Sequence, residues 1–142
     1  MKCLGMDLGT KTLGLATSDK LGIISSPYKV LRYEDIDALV DEVITIINEL
    51  KIDTLVLGYP KNMNNTLGDA VERTNNFKEK LESKIDMKIN LIDERLSTVE
   101  AENYLISEDM RREDRKKIID AVAASVILDT YLRMNKENKN GC

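Results

Sequence analysis

The hydrophobic pattern of this chain changes its period after residue 31, and that change constrains the fold more than any other feature. Three short apolar runs come first, at residues 2–8, 12–18 and about 23–31, with turn-forming residues between them. Such runs predict β-strands joined as hairpins. Because the connections are short, the second strand must run antiparallel to both of its neighbours. The chain is therefore predicted to begin as a three-stranded meander.

Helices and further strands are predicted to follow this meander. Apolar residues recur at helical spacing over residues 35–50, which predicts an amphipathic helix. The short apolar runs at 54–58 and 88–93 are typical of buried parallel strands, since a helix is predicted between them at 69–82. The segment from about 98 to 134 is predicted to be helical. This order predicts an α/β fold, with a five-stranded mixed sheet flanked by helices.

The length fits a single domain. The chain has 142 residues, 42% of them hydrophobic, which is enough for one sizeable core. We predict one domain over residues 1–134, followed by a polar tail at 135–142. No signal core and no run of about 18 apolar residues is present. Cys3 and Cys142 make a poor disulfide framework, so we expect a cytoplasmic protein with no membrane partner.

The absence of histidine restricts the chemistry that the chain can perform. The net charge is -4, from 21 basic and 25 acidic residues. This balance excludes a polybasic protein that binds nucleic acid by charge alone, but it allows a local basic patch assisted by metal ions. Any reaction must use carboxylates, hydroxyls, lysines, arginines and metal ions.

Acidic residues end or interrupt three of the apolar segments. Asp7 ends the first strand, Asp93 and Glu94 end the last strand, and Asp120 lies within an apolar helical segment. The carboxyl ends of parallel strands meet at one edge of a sheet, where ligand sites form, and a packed helix could bring Asp120 there. Successive strand residues face opposite sides of a sheet, so the spacing leaves Asp93 and Glu94 as alternatives.

A shared cation would explain why acids converge at this edge. Neighbouring carboxylates repel each other, and a divalent ion removes that penalty. Oxygen ligands favour Mg²⁺ or Mn²⁺ over zinc, and two such ions about 3.5–4 Å apart can promote phosphodiester hydrolysis. Each acid also has a simpler interpretation: a turn cap for Asp7, a surface strand end for Asp93 and Glu94, and a solvent-facing helix position for Asp120. The joint pattern favours the metal site.

Basic residues and one polar loop are candidate contacts for phosphate. Lys11 follows a glycine turn, and Arg115 and Lys116 precede Asp120 on the same predicted helix. Asn62 lies in a polar loop after a buried strand, a position that suits a substrate loop. The alternatives are a surface lysine, a solvated helix start and a plain connection.

Four segments of the chain, taken in order, resemble the YqgF family. They are Asp7-Leu8-Gly9-Thr10-Lys11 with Gly14-Leu15-Ala16, Gly58-Tyr59-Pro60-Lys61-Asn62-Met63, Asp93-Glu94-Arg95-Leu96-Ser97-Thr98 and Asp120-Ala121-Val122-Ala123-Ala124. The resemblance covers residues 1 to about 133. It implies a ribonuclease H-like fold, a cytoplasmic location and metal-dependent phosphodiester hydrolysis that matures the 5′ end of pre-16S rRNA. Proteins of this family were earlier assigned as Holliday junction resolvases.

The resemblance also implies roles for particular residues. By motif position, Asp7, Glu94 and Asp120 match the catalytic acids that would bind Mg²⁺ or Mn²⁺, which favours Glu94 over Asp93. Arg95 becomes a candidate substrate contact.

The first and third motifs add to the expected substrate contacts. Lys11 and Arg95 would position or neutralise phosphate oxygens, and Thr98 is a further candidate. The chain departs from the family pattern at Thr12, where the family commonly has Arg, and near Asn65, where it often has Gly. Neither departure changes a carboxylate.

Four functions are consistent with this sequence. The leading hypothesis is an RNA nuclease whose partners are ribosomal precursor particles, and the second is a resolvase that acts on DNA junctions. A third, phosphate binding of the actin-like ATPase type, needs two such domains where this chain has one. A fourth, a non-catalytic RNA-binding assembly factor, is disfavoured by the three intact acids. Both a monomer and a homodimer are compatible with the sequence.

Overall fold

The computed structural model describes residues 2–59, 68–93 and 112–140. The strands in these ranges are β1 (Cys3–Leu8), β2 (Thr12–Ser18), β3 (Ser25–Arg32), β4 (Thr54–Tyr59) and β5 (Ile89–Asp93). The helices are α1 (Ile36–Leu50), α2 (Gly68–Lys84) and α3 (Arg112–Asn140). The predicted order of strands and helices is confirmed over the described ranges.

The strands form one mixed sheet in the order β3-β2-β1-β4-β5. β2 pairs antiparallel with both β1 and β3, whereas β1, β4 and β5 run parallel to one another. The prediction of a five-stranded sheet with an antiparallel second strand is therefore confirmed. The carboxyl ends of the three parallel strands lie at one edge, and this edge contains the end of β1 with Asp7 and the end of β5 with Asp93.

Helices cover both faces of the sheet, so the core has two parts. The larger part lies under α1 and α2, and its fully buried side chains include Leu4, Met6, Leu13, Leu15, Leu39, Val40, Val43, Leu55, Leu57, Phe77 and Leu81. The smaller part lies under α3 and consists of Cys3, Ala16, Val56, Ile92, Ala124, Ile127, Leu128 and Leu132. The alternation of side chains along each strand divides its residues between these two parts.

Glycine allows α3 to lie close to the sheet. A Cβ atom added to Gly5 of β1 would stand 2.8 Å from the Leu128 Cβ and 2.9 Å from the carbonyl oxygen of Ala124. Any side chain at this position would push the helix outward. Ala124 is itself fully buried, so a small residue on the helix faces the glycine of the strand at this close approach.

Helix α1 begins one residue later than predicted because Asp35 caps it. The Asp35 side chain accepts a hydrogen bond from the backbone N–H of Asp37, 3.3 Å away. At the other end, Lys51 adopts a left-handed conformation with φ of 55°, and its N–H and that of Ile52 both donate to the Ile47 carbonyl. These bonds satisfy the carbonyl of Ile47 in the last turn of the helix.

Strand β3 begins at Ser25, and the predicted start near Ile23 is wrong. The Asp19 carboxylate accepts hydrogen bonds from the backbone N–H groups of Ile23, at 2.7 Å, and Ile24, at 3.1 Å. Because these donors close a turn, they do not join the sheet ladder.

Helix α3 continues to Asn140 and so extends past residue 135, where the polar tail is predicted to begin. Within the described ranges, no helix combines the length and the apolar character needed to cross a bilayer.

Candidate active site

Asp7 lies on the face of the sheet that α3 covers. It shares this face with Cys3 and Gly5, since side chains alternate along β1, and both of those residues contact α3. Asp7 is half-buried, and its partner in the antiparallel ladder is Gly14 of β2. The carboxylate therefore stands at the carboxyl end of β1, beneath the helix that contains Asp120.

Gly14 brings the backbone of Asp120 against the sheet beside Asp7. A Cβ atom added to Gly14 would lie 2.0 Å from the Asp120 carbonyl oxygen, 2.2 Å from its carbonyl carbon and 2.9 Å from the Ala121 nitrogen. The main chain of α3 thus occupies the space that a side chain at residue 14 would fill. Because Gly14 pairs with Asp7, the structure brings these two predicted acids to neighbouring positions.

The side chain of Asp120 is bonded directly to the sheet. The Thr12 hydroxyl donates a hydrogen bond of 2.6 Å to Oδ2 of Asp120, and the pair is partly buried. In the sequence Thr12 stands out only as a departure from the family motif, and this contact was not predicted. A hydroxyl residue at the start of the strand after the Asp7 turn is a candidate side-chain donor, but its position in the sequence does not specify Asp120 as the acceptor.

The turn that carries Thr12 is held at several points. The backbone N–H of Gly9 donates to the Thr12 carbonyl at 2.7 Å, and the N–H of Tyr33 donates to the Lys11 carbonyl at 3.0 Å. The Tyr33 hydroxyl also donates to the Gly9 carbonyl, at 2.5 Å. Burial is the largest cause that raises the pKa of Tyr33 above its ordinary value, so its hydroxyl keeps its proton at neutral pH. Lys11 is exposed at this turn.

At the end of β5, Asp93 lies on the face of the sheet opposite to Asp7. Ile89 belongs to the core under α1 and α2, whereas Ile92 belongs to the core under α3. The alternation along β5 therefore assigns Asp93 to the α1 and α2 face, opposite to the face of Asp7. Glu94, the predicted third acid, lies outside the described residues.

The predicted substrate contacts lie partly within the described ranges. Arg115 and Lys116 belong to α3 and precede Asp120, with Lys116 four residues, or about one helical turn, before it. Arg95, Thr98 and Asn62 fall outside the described residues.

The donor chemistry of the described acids fits a hard divalent cation. Asp7 and Asp120 offer carboxylate oxygens, which are the ligands that Mg²⁺ and Mn²⁺ prefer. Over residues 2–59, 68–93 and 112–140 no group of three histidine, cysteine, aspartate or glutamate residues is close enough to hold a metal ion. The proposed set of three acids includes Glu94, which these ranges do not contain.

Solved structures share this arrangement of sheet and helices. T. thermophilus RuvC in complex with a Holliday junction substrate matches with a TM-score of 0.59 and 14% identity, over 94% of this chain and 96% of that chain. The Fowlpox virus resolvase in complex with Holliday junction DNA matches with a TM-score of 0.60 and 12% identity, over 95% of this chain and 99% of that chain. At these identities the likeness defines the fold, which is the ribonuclease H-like fold of RuvC-like resolvases.

Sequence comparison defines the family within that fold. The RuvX family, described as Holliday junction resolvase, matches residues 1–134. A "Putative pre-16S rRNA nuclease" of Geobacillus kaustophilus is 46% identical over 134 residues, which cover 93% of this chain and 97% of the relative. A Desulforamulus reducens protein of the same name is 45% identical over 132 residues, with 93% and 96% covered. The chain belongs to the RuvX (YqgF) family, as its four motifs predicted.

Proposed function

We propose that this protein is a metal-dependent nuclease that hydrolyses RNA phosphodiester bonds during 5′-end processing of pre-16S rRNA. The observation that carries the proposal is the seating of α3 on Gly14, which brings Asp120 beside Asp7. The names of the relatives support nuclease function. The proposed setting is the cytoplasm, with ribosomal precursor particles as partners.

The proposed site uses three acids. Asp7, Glu94 and Asp120 would bind Mg²⁺ or Mn²⁺, and the assignment of Asp93 to the other face of the sheet supports leaving it out of this set. A bound divalent ion supplies charge stabilisation and water activation in phosphodiester hydrolysis. The half-burial of Asp7 under α3 strengthens its attraction for a cation, because the local dielectric is lower than that of water.

Basic and polar residues around the acids would hold the RNA. The proposed substrate contacts are Lys11, Asn62, Arg95, Thr98, Arg115 and Lys116. Lys11 is exposed on the turn that follows β1, so its ammonium is accessible to a phosphate oxygen.

The test is cleavage of an RNA that contains the 5′ precursor of 16S rRNA, with Mg²⁺ or Mn²⁺ added. Asp7→Asn keeps the size of the side chain and removes its charge, so we expect cleavage to fall by more than about 100-fold, beyond the range typical of residues that only support a metal ligand. The matched control is Asp86→Asn, which changes an exposed aspartate between α2 and β5 and should leave the rate unchanged. Full activity of Asp7→Asn would refute the assignment.

A junction resolvase is the second candidate, and the description of the matching family favours it. This function would use the same acids on a four-way DNA junction. The discriminating assay offers the wild-type protein the junction and the single-stranded precursor RNA in parallel. Selective cleavage of the junction would reverse the order of the two candidates, whereas RNA binding without cleavage of either substrate would favour a non-catalytic assembly factor.

A further inference from the structure

We propose that Thr12 is a positioning residue for Asp120. Its hydroxyl holds the Asp120 carboxylate in the orientation in which that carboxylate binds the divalent cation. This inference rests on the proposed function and names a residue on which one of the three acids, Asp120, depends.

The first support is the contact itself. The Thr12 Oγ1 lies 2.6 Å from Oδ2 of Asp120, a distance typical of a hydroxyl that donates to an ionised carboxylate. An aspartate on a helix can adopt several side-chain rotamers, and a bond of this kind selects one of them. The bond engages Oδ2, so it fixes the direction of the whole carboxylate group.

The second support is that the donor comes from a rigid part of the molecule. Thr12 is β-branched, which restricts its first side-chain torsion, and it pairs with Arg32 in the ladder between β2 and β3. Its carbonyl accepts the Gly9 N–H, and the hydroxyl of Tyr33 is bonded to the same turn. The position of the Thr12 hydroxyl is therefore set by the sheet and by the turn.

The third support is that the acceptor is also anchored. The main chain at Asp120 packs against Gly14, so the helix cannot approach the sheet any further. With both backbones fixed, the side-chain torsions of Asp120 are the remaining freedom, and the hydrogen bond removes it. Partners that orient a metal ligand in this way typically contribute about 10–100-fold to metal affinity or activity.

The competing explanation is that the bond only ties α3 to the sheet. The chain offers a matched control for this, because Ser25 at the start of β3 donates a 2.9 Å hydrogen bond to the Ser125 carbonyl of the same helix. Ser25→Ala removes a tie between sheet and helix without touching Asp120. A structural role predicts that this variant and Thr12→Val behave alike.

The experiment compares Thr12→Val, Thr12→Ser and Ser25→Ala with the wild-type chain. Valine keeps the shape of threonine without the hydroxyl, and serine keeps the hydroxyl. The measurements are Mn²⁺ affinity by calorimetry, kcat and KM for RNA cleavage, and urea unfolding. We expect Thr12→Val to lower Mn²⁺ affinity and kcat by about tenfold or more, with KM for RNA changed by less than about twofold.

The two controls decide the interpretation. Thr12→Ser should restore the Mn²⁺ affinity, and Ser25→Ala should bind Mn²⁺ like the wild type even if its unfolding midpoint falls. Wild-type Mn²⁺ affinity in Thr12→Val, or an equal loss in Ser25→Ala, would overturn the positioning role while Asp7→Asn still tests the nuclease. A wild-type chain that neither binds Mn²⁺ nor cuts RNA would overturn both proposals.

Discussion

Gly14→Ala tests the contact on which the proposed site depends. The added Cβ would stand 2.0 Å and 2.2 Å from the carbonyl oxygen and carbon of Asp120. Both neighbours are main-chain atoms, so no side-chain rotation relieves the clash. Gly14 does not have a positive φ, so alanine brings no backbone strain of its own, and its restriction of the unfolded chain would add only about 0.4–1 kcal/mol of stability.

The magnitude follows from the displacement that the helix must make. Ordinary van der Waals contact begins at 3.4 Å, so α3 must retreat from β2 by about 1.4 Å at this point. Overpacking of a core costs about 1–3 kcal/mol and occasionally more, and a clash against backbone belongs at the upper end of that range. Asp120 would move with the helix, and a misplacement of about 1 Å in a catalytic group can lower a rate by about 10²-fold.

The assay combines urea unfolding with Mn²⁺-dependent RNA cleavage. The control for stability is Gly9→Ala, whose added Cβ would meet the Thr12 side chain and carbonyl at 3.3 and 3.4 Å. We expect that control to lose less than about 1 kcal/mol, because the neighbours need to move by only a few tenths of an ångström. If Gly14→Ala unfolds at the same urea concentration as the wild type, the close approach of α3 at this residue is refuted.

Three further predictions concern the stability of the fold. Lys51→Gly should raise the free energy of unfolding by about 0.5–1 kcal/mol in urea, because Lys51 holds a left-handed conformation that glycine adopts without strain; an unchanged midpoint would contradict this. Tyr33→Phe should lower the free energy of unfolding by about 0.5–1.5 kcal/mol, since the Gly9 carbonyl loses its donor. A thermal melt would show whether this loss of stability occurs. Hydrogen bonds from the Ile24 and Ile23 N–H groups lower the pKa of Asp19 from its ordinary 3.8. The ionised, hydrogen-bonded Asp19 carboxylate therefore stabilises the fold above pH 3.8, and this contribution is lost as the pH falls through the lower folded pKa. Unfolding midpoints measured against pH should fall more steeply below 3.8 for the wild type than for Asp19→Asn, and parallel profiles would disprove the role of the carboxylate.

The helices and strands could be predicted wherever the spacing of apolar residues indicates which face of the element is buried. Helix α1 differs from its predicted start by one residue, because Asp35 caps the helix and does not enter it. The start of β3 was predicted wrongly because Ile23 and Ile24 are apolar. Both side chains are in fact 63% exposed, and their N–H groups serve the Asp19 turn, which the apolar pattern does not encode.

The candidate site could be predicted less completely. The motifs identified Asp7 and Asp120, but the contacts that bring them together depend on how α3 packs against the sheet. Thr12 and Asp120 are 108 positions apart, and no local pattern specifies that pairing. The family motif favours Glu94 over Asp93, and the ladder of β5 adds that Asp93 lies on the face opposite to Asp7, which no local pattern shows.

The seating of α3 on the sheet also determines when the proposed activity can arise during synthesis. A small domain generally folds as one cooperative unit. The strand with Asp7 emerges early, whereas the helix with Asp120 follows every strand of the described sheet. A chain translated only as far as β5 would thus lack both Asp120 and the helix that completes the core, and the proposed nuclease would remain inactive toward surrounding RNA until its own translation has passed α3.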